Sequence, residues 1–283
     1  MKLSVITINY NNSEGLRKTI ESVINQTWND FEYVIIDGGS TDGSVEVIKE
    51  YSNHINYWIS EPDKGIYNAL NKGLSVAKGE YCNFMNSGDC FYSLDVLEKV
   101  FSDNPFADII CGNTQLDYLK TPPQEISFDF LFNSSICHQC AFIRTSLMKK
   151  YGYDEKYKIV ADRKFFVQAL ILDNCSYKAI DVNVVKYDIT GFSSANPVLS
   201  RLEYDKVLEE LIPERIRIDY GKKYKGALYG DTWYDKLFVE IRRRKYRTII
   251  YSFSTMFLYI MSIFKRSASF IKEFPIFENN ASN

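Results

Sequence analysis

Short apolar runs alternate with amphipathic stretches over the first 112 residues of the chain. The apolar runs predict buried strands at residues 3–8, 33–36, 55–59, 81–85 and 107–111. Between them, apolar side chains recur at helical spacing over residues 16–27, 45–51, 66–77 and 95–101. This alternation predicts βαβ crossovers, and therefore an α/β fold whose mainly parallel central sheet is covered by helices on both faces.

Polar segments follow three of these predicted strands. They comprise residues 9–12, 37–43 and 86–89, and two of them contain glycine. Ligands of open α/β sheets bind beyond the carboxyl ends of the strands, so the three segments predict one binding crevice. No G-x-G-x-x-G follows the first strand and no G-x-x-x-x-G-K-[ST] occurs in the chain, so a dinucleotide or P-loop site lacks its phosphate cradle.

Two aspartates in these segments are candidates for chemistry. Asp37 directly follows a predicted strand, where it can accept hydrogen bonds from a base N–H or a ribose hydroxyl, or cap a turn together with Ser40. Asp89 can hold Mg²⁺ or Mn²⁺ together with diphosphate oxygens and water, or form an Asx turn. Position alone leaves both alternatives open for each residue.

Composition excludes several classes of protein. Apolar residues make up 46% and charged residues 25% of the 283 positions, which is typical of globular proteins and excludes disordered or collagen-like chains. The net charge of −2 gives no reason to expect nucleic acid as a partner. The six cysteines and the lack of a secretory-signal pattern at residues 1–12 lead us to expect a cytoplasmic protein. Cys137 and Cys140 form a C-x-x-C pair, but a zinc site needs two further ligands, so we expect none.

Basic residues are concentrated near the end of the chain. Residues 242–266 contain seven lysines and arginines and no acid, and residues 248–264 carry no charge. A polar stripe along this uncharged stretch favours an amphipathic helix in the membrane interface, with the basic cluster on anionic headgroups. The alternatives are that this helix crosses the membrane, or that it packs on the catalytic domain or on a partner subunit.

Four motifs in order give a resemblance to a known family. They are S-V-I-T-I-N-Y-N from residue 4, V-I-I-D-G-G-S-T-D-G-S from residue 34, E-P-D-K-G-I-Y-N-A-L-N-K-G from residue 61, and F-M-N-S-G-D from residue 84. Together they resemble the family 2 glycosyltransferases of the GT-A fold, particularly the bacterial enzymes that build surface polysaccharides. The resemblance implies a nucleotide-sugar-binding, Rossmann-like α/β fold and the inverting transfer of a sugar from a nucleoside diphosphate donor.

The resemblance also implies roles for residues of the first half. The residues expected to bind the nucleotide sugar are Thr7, Asn9, Tyr10, Asp37, Lys64, Asn86 and Ser87. The acidic motif of the family falls on residues 86–89, where only its last acid is present. Asp89 therefore takes the expected metal role, and the missing first acid puts the affinity for Mg²⁺ or Mn²⁺ in question.

Two residues of the second half complete the expected site. Inverting transfer needs a base on the acceptor hydroxyl, and Asp162 lies in a segment that resembles the one carrying the base in the family. The alternative is an acid that stabilises the first turn of a helix, and both roles are compatible. His138 is either a structural histidine or a contact to the diphosphate, metal or acceptor. The resemblance supports the second role, because it implies that His138 and Gln139 form a His-Gln pair facing the crevice.

We therefore predict an inverting glycosyltransferase that moves a sugar from a donor, expected to be a UDP-sugar, to a glycan or lipid-linked acceptor. The predicted domains are a catalytic domain at residues 1–200, with halves at 1–113 and 114–200, and a helical C-terminal extension at 201–283. The expected location is the cytoplasmic face of the membrane, with a homo-oligomer as an open possibility. The alternatives are a non-catalytic scaffold subunit and a nucleotidyltransferase.

Overall fold

The structure is a computed structural model that describes residues 1–102, 106–188 and 196–224. Its helices are α1 (Ser13–Ile24), α2 (Ser44–Glu50), α3 (Ile66–Val76), α4 (Val96–Phe101), α5 (Phe128–Asn133), α6 (Thr145–Tyr151), α7 (Ala161–Phe166), α8 (Pro197–Leu211) and α9 (Glu214–Tyr224). A π-helical stretch, Val167–Leu172, continues α7, and short 3₁₀ turns lie at Ser52–His54 and His138–Cys140.

The strands in the described part of the chain form one sheet. They are β1 (Leu3–Asn9), β2 (Phe31–Asp37), β3 (Tyr57–Ser60), β4 (Tyr81–Phe84), β5 (Cys90–Phe91), β6 (Ile109–Gln115), β7 (Leu119–Lys120), β8 (Ala141–Arg144) and β9 (Tyr177–Lys186). Their order is β3-β2-β1-β4-β8-β6-β9-β5, with β7 beside β6.

The first four strands of that order run parallel, as the strand–helix alternation predicts. Asn9 is in register with Asp37, and Asp37 with Ser60, so the carboxyl ends of β1, β2 and β3 lie side by side. Strand β8 then inserts antiparallel between β4 and β6, and β6 pairs parallel with β9. Most of the paired residues lie in parallel pairings, which confirms the predicted α/β fold.

Apolar side chains of the central strands account for the core. Strand β2 is buried along almost its whole length, as expected for a parallel strand that is covered on both faces. Helix α3 presents Leu70, Gly73 and Leu74 to the sheet. At Gly73 an added Cβ would lie 2.4 Å from a methyl group of Ile6, so only glycine lets this helix approach β1 so closely.

The structure corrects the bounds of one predicted strand in the middle of the chain and adds another strand. The strand predicted to end at residue 111 continues through Gly112 and Asn113 as far as Gln115. Gly112 lies inside the strand because β9 passes so close that a Cβ there would lie 2.5 Å from Val184. Strand β9 itself is missing from the predicted elements, although Ile180, Val182 and Val184 alternate with polar residues.

The chain divides into two compact units, Met1–Arg217 and Ile218–Asn283. All of the site residues discussed below belong to the first unit. The predicted basic and amphipathic segment at 242–266 lies outside the described residues, so its role stays a prediction. In the described residues, no helix combines the length and apolar character needed to span a bilayer.

Candidate active site

Asp37 is enclosed by hydrogen-bond donors at the carboxyl end of β2. Its Oδ1 accepts from Asn9 Nδ2 at 2.8 Å and from Ser40 Oγ at 2.6 Å, and its Oδ2 accepts from Ser60 Oγ at 2.6 Å and from Ser40 N at 2.9 Å. Burial alone would raise the pKa of Asp37, but the bonds from Ser40, Ser60 and Asn9 hold it below its ordinary value. The carboxylate therefore stays ionised and fixes three neighbouring strand ends.

The other residues expected around the nucleotide differ in exposure. Thr7 is fully buried, and its hydroxyl is hydrogen-bonded to that of Tyr33 at 3.0 Å. Tyr10, by contrast, is 69% exposed beyond the end of β1. Lys64 is also exposed, immediately before α3, where its backbone N–H donates to Asn68 Oδ1. Tyr10 and Lys64 thus present free surface along the same edge of the sheet, whereas Thr7 supports the strand from inside.

Asp89 lies in a tight turn that follows β4. Gly88 has φ +103°, which favours glycine, and a Cβ there would lie 2.7 Å from Oδ2 of Asp188. The carboxylate of Asp89 is 3% exposed, and it accepts from Gln139 Nε2 at 2.9 Å and from the backbone N–H of Asp188 at 2.8 Å. Burial raises the pKa of Asp89 to about 6, against the lowering effect of these two hydrogen bonds.

A cleft with a volume of about 540 Å³ opens beside this turn. Five of the predicted site residues line it: Asn86, Ser87, Asp89, His138 and Asp162. Thr7, Asn9, Tyr10, Asp37 and Lys64 are not among its lining residues. The two groups are connected at Asn12, whose Nδ2 donates to the carbonyl of Ser87 at 3.4 Å.

Asp162 lies in the first turn of α7, with its side chain 16% exposed. Its Oδ1 accepts from the backbone N–H of Arg163 at 2.8 Å and contacts the hydroxyl of Tyr67 at 3.1 Å. Among the described residues, its Oδ2 has a hydrogen-bond contact only with Nδ1 of His138, at 3.3 Å. The two predicted roles of Asp162 are therefore compatible in one geometry: Oδ1 stabilises the helix start, while Oδ2 keeps a lone pair toward the cleft.

His138 connects Asp162 with the turn after β4. Its Nδ1 faces Asp162, and its Nε2 lies 3.3 Å from Nδ2 of Asn86. Burial alone would lower the pKa of His138, but the hydrogen bond and the charge of Asp162 raise it above its ordinary value. The carboxylate also selects the tautomer with the proton on Nδ1, which leaves Nε2 to accept from Asn86.

Comparisons with known proteins identify the family and the fold of the chain. The model of glycosyl transferase family 2 matches residues 4–152 of the chain. The chain belongs to this family. A Mycobacterium tuberculosis relative described as an uncharacterised glycosyltransferase is 32% identical over 203 residues, which cover 68% of this chain and 77% of that protein. A family member from Mycobacterium bovis, described as a PGL/p-HBAD biosynthesis glycosyltransferase, is 28% identical over 66% of this chain and 77% of its own.

Among solved structures, residues 1–349 of S. aureus TarS in complex with UDP-GlcNAc match with a TM-score of 0.60 and 22% identity. The match covers 74% of this chain and 64% of that one, so the chain spans less than two thirds of the TarS fragment. This likeness shows the fold, which is the GT-A fold of family 2 glycosyltransferases.

The GT-A fold implies a divalent cation, and the residues beside the turn after β4 are suited to one. Asn86 Oδ1 is buried without a hydrogen-bond partner, and Asp89 supplies a carboxylate three residues later. Both are oxygen ligands of the kind that Mg²⁺ and Mn²⁺ prefer. Within the described residues, no group of three or more His, Cys, Asp or Glu side chains is placed to hold a metal. A cation here would therefore also need oxygen ligands from the bound nucleotide sugar.

Two contributing residues, Asp188 and Tyr67, were not among the predicted ones. The backbone N–H of Asp188 donates to Asp89, as does Gln139, the second member of the expected His-Gln pair. The hydroxyl of Tyr67 lies 2.5 Å from the carbonyl oxygen of Ile159 and 3.1 Å from Oδ1 of Asp162. Tyr67 lies in the third family motif, so it had a local signal. Asp188 had no such signal in the sequence. It lies next to Asp89 because it follows β9, and β9 pairs with β6 and β5.

Proposed function

We propose that this family 2 glycosyltransferase moves a sugar, with inversion, from a UDP-sugar to a hydroxyl of a glycan or lipid-linked acceptor in surface polysaccharide or glycolipid synthesis. The placement of Asp89 and Asp162 in one cleft carries the proposal. The complex of TarS with UDP-GlcNAc supports the choice of donor, and the description of the Mycobacterium bovis relative as a biosynthesis glycosyltransferase supports the process.

Asp162 would act as the base. Inverting transfer requires a base opposite the leaving diphosphate, and the open lone pair on Oδ2 of Asp162 offers a position for the acceptor proton. His138 would hold Oδ2 in place by donating from Nδ1, and Tyr67 would orient Oδ1. As the glycosyl bond forms, the acceptor O–H proton passes to Oδ2.

The leaving group would lie at the other end of the cleft. We propose that Asp89 and Asn86 would hold Mg²⁺ or Mn²⁺, while Ser87 contacts ribose or phosphate. When bound, the cation would neutralise the charge that develops on the departing diphosphate. Asn9, Tyr10, Asp37 and Lys64 would frame the nucleoside, with Thr7 buttressing the first strand from inside.

Release of UDP tests the proposal. Purified chain is incubated with UDP-, GDP- and dTDP-sugars in the presence of Mn²⁺, and the nucleoside diphosphate released is measured over time. We expect slow metal-dependent hydrolysis of a UDP-sugar in the absence of an acceptor. If the chain binds a nucleotide sugar but releases no nucleoside diphosphate even with cell-envelope extract as acceptor, the scaffold alternative replaces the enzymatic proposal.

We also propose peripheral binding to the inner face of the membrane through residues 242–266. Exchange of Arg242, Arg243 and Arg244 for glutamate in the full chain should abolish sedimentation with vesicles that contain anionic lipid. Vesicle binding that persists in the triple variant would refute an electrostatic anchor.

A further inference from the structure

Three basic side chains line the cleft on the side where an acceptor would bind. Lys120, Lys158 and Arg163 are all among its lining residues. Lys120 Nζ donates to the carbonyl of Ser135 at 3.1 Å, and Arg163 donates to the carbonyl of Ser134 at 3.2 Å. Both side chains are therefore held by the same short segment, which also lines the cleft at Ser135 and Ile136.

None of these three cations forms an ion pair with a carboxylate in the part of the chain that the structure describes. Their neighbours outside the cleft do: Lys156 pairs with Glu210 at 2.7 Å, and Lys164 pairs with Asp154 at 2.7 Å. The contrast indicates that the unpaired charges of the cleft are available to an anion that comes from outside the chain.

Arg163 is held in a geometry that suits such an anion. Its guanidinium carbon lies 3.3 Å from the centre of the Tyr204 ring, and its Nε is buried without a hydrogen-bond partner. Burial lowers the pKa of Arg163, and the nearby charge of Asp162 offsets only part of this effect. A phosphate group in the cleft would bring a further negative charge close to the guanidinium.

The position of the three cations relative to Asp162 assigns them to the acceptor. Arg163 directly follows Asp162, and Lys120 and Arg163 contact residues 131–135. An anion held beside Arg163 would lie next to Asp162, where we propose that the acceptor hydroxyl binds.

We propose that Lys120, Lys158 and Arg163 form a subsite for a phosphate group on the acceptor, which would be a sugar joined to phosphate. The inference rests on the proposed function and specifies its acceptor class. Lysine ammonium groups and the planar arginine guanidinium together suit the several oxygens of a phosphate better than the two of a carboxylate.

A binding titration tests this subsite. The full chain is first saturated with UDP and Mn²⁺, so that added anions find the diphosphate end filled. Octyl glucosyl phosphate, octyl glucoside and octyl glucuronide are then titrated by calorimetry. We expect the phosphate probe to bind at least tenfold more tightly than the neutral glucoside and more tightly than the glucuronide, with the advantage decreasing as salt rises.

Variants assign the effect to the named side chains. Lys120→Gln combined with Lys158→Gln should lower affinity for the phosphate probe about tenfold while leaving the glucoside unchanged. Lys156→Gln, an exposed lysine two residues from Lys158 and outside the cleft, should change neither affinity. Glucose 1-phosphate distinguishes the two sources of the phosphate: equal affinity with the octyl probe indicates a soluble sugar phosphate, and weaker affinity indicates a lipid-linked one.

Equal affinity for the phosphate and the neutral probe would overturn the inference. Loss of UDP affinity in the double variant, with acceptor-probe binding intact, would also overturn it and move the cations to the donor. Failure of the unmodified chain to bind UDP at all would instead count against the proposed function itself.

Discussion

Asp37 at the end of β2 and Asp89 in the turn after β4 have opposite surroundings. Asp37 is bound by four hydrogen bonds, which keep its pKa below the ordinary value. Within the described residues the carboxylate of Asp89 accepts two, and burial raises its pKa to about 6. The difference fits our proposal that Asp37 frames a pocket while Asp89 takes part in chemistry.

Asp162 extends this comparison across the cleft. Like Asp89, it retains an open lone pair, and Asn86 and His138 connect the two ends of the cleft. The following predictions, in order of decreasing effect, test whether the open carboxylates perform the chemistry while the saturated one holds the frame.

Asp162→Asn should reduce sugar transfer by about 10²–10⁴-fold, because the amide cannot take up the acceptor proton. Affinity for UDP should stay within twofold of the unmodified chain, since Asp162 lies away from the proposed diphosphate end. Steady-state UDP release and UDP calorimetry measure the two quantities. Near-normal transfer in a folded variant would place the base on another residue.

Asp89→Asn should lower transfer by about 10²-fold, the scale expected on losing one electrostatic contact to the leaving group. Binding of Mn²⁺ in the presence of UDP, followed by electron paramagnetic resonance, should weaken in parallel. Asp95→Asn is a matched control, because that aspartate is exposed and pairs with Lys99. Unchanged Mn²⁺ binding in Asp89→Asn would remove the residue from the metal site.

Asp37→Asn should act on binding and stability rather than on the chemical step. The new NH₂ group would face a hydrogen-bond donor of Ser40, Ser60 or Asn9 instead of accepting from it. We therefore expect the free energy of unfolding to fall by about 1–3 kcal/mol. Affinity for UDP should fall about tenfold, while the rate at saturating donor changes little. Thermal unfolding and UDP calorimetry measure both effects. Unaltered UDP affinity in a destabilised variant would show a purely structural role.

Glu210→Gln provides a reference, because Glu210 lies outside the cleft and accepts hydrogen bonds from Lys156, Lys164 and the hydroxyl of Tyr157. Hydrogen bonds from Lys156 and Lys164 lower the pKa of Glu210 to about 2. Because the folded-state pKa lies below the ordinary value of 4.5, this stabilisation is present above about pH 4.5 and is lost as pH falls toward 2.

The side chain of Glu210 is 38% exposed, so solvent screening limits the loss in Glu210→Gln to about 1 kcal/mol at pH 7. The difference from the unmodified chain should shrink as the pH is lowered from 4.5 to 3, while transfer at pH 7 stays normal. Urea unfolding at several pH values measures this difference in the free energy of unfolding. A difference that does not depend on pH would mean that packing, rather than charge, accounts for the effect.

The order of β1 to β4 was predictable because short, mostly apolar strands alternate with amphipathic helices. Strand β9 was missed although its apolar and polar residues alternate, because it lies outside that strand–helix alternation. The same limit applied to the site. Asp89 and Asp162 stand next to recognisable motifs, whereas Asp188 reaches Asp89 only through tertiary pairing.

The sequence also did not predict how many hydrogen bonds each aspartate accepts. Ser40 is a neighbour of Asp37 in the chain, but Asn9 and Ser60 reach it from adjacent strands in register. Only those cross-strand bonds show that Asp37 is already saturated with donors, which is what separates it from Asp89 and Asp162.

A crystal structure of the full chain with Mn²⁺ and a non-hydrolysable UDP-sugar tests the central claim most directly. We expect the diphosphate beside Asp89 and Asn86, and the face of the anomeric carbon opposite the diphosphate open toward Oδ2 of Asp162. A donor bound with its diphosphate away from Asp89, or with its sugar turned away from Asp162, would contradict the account.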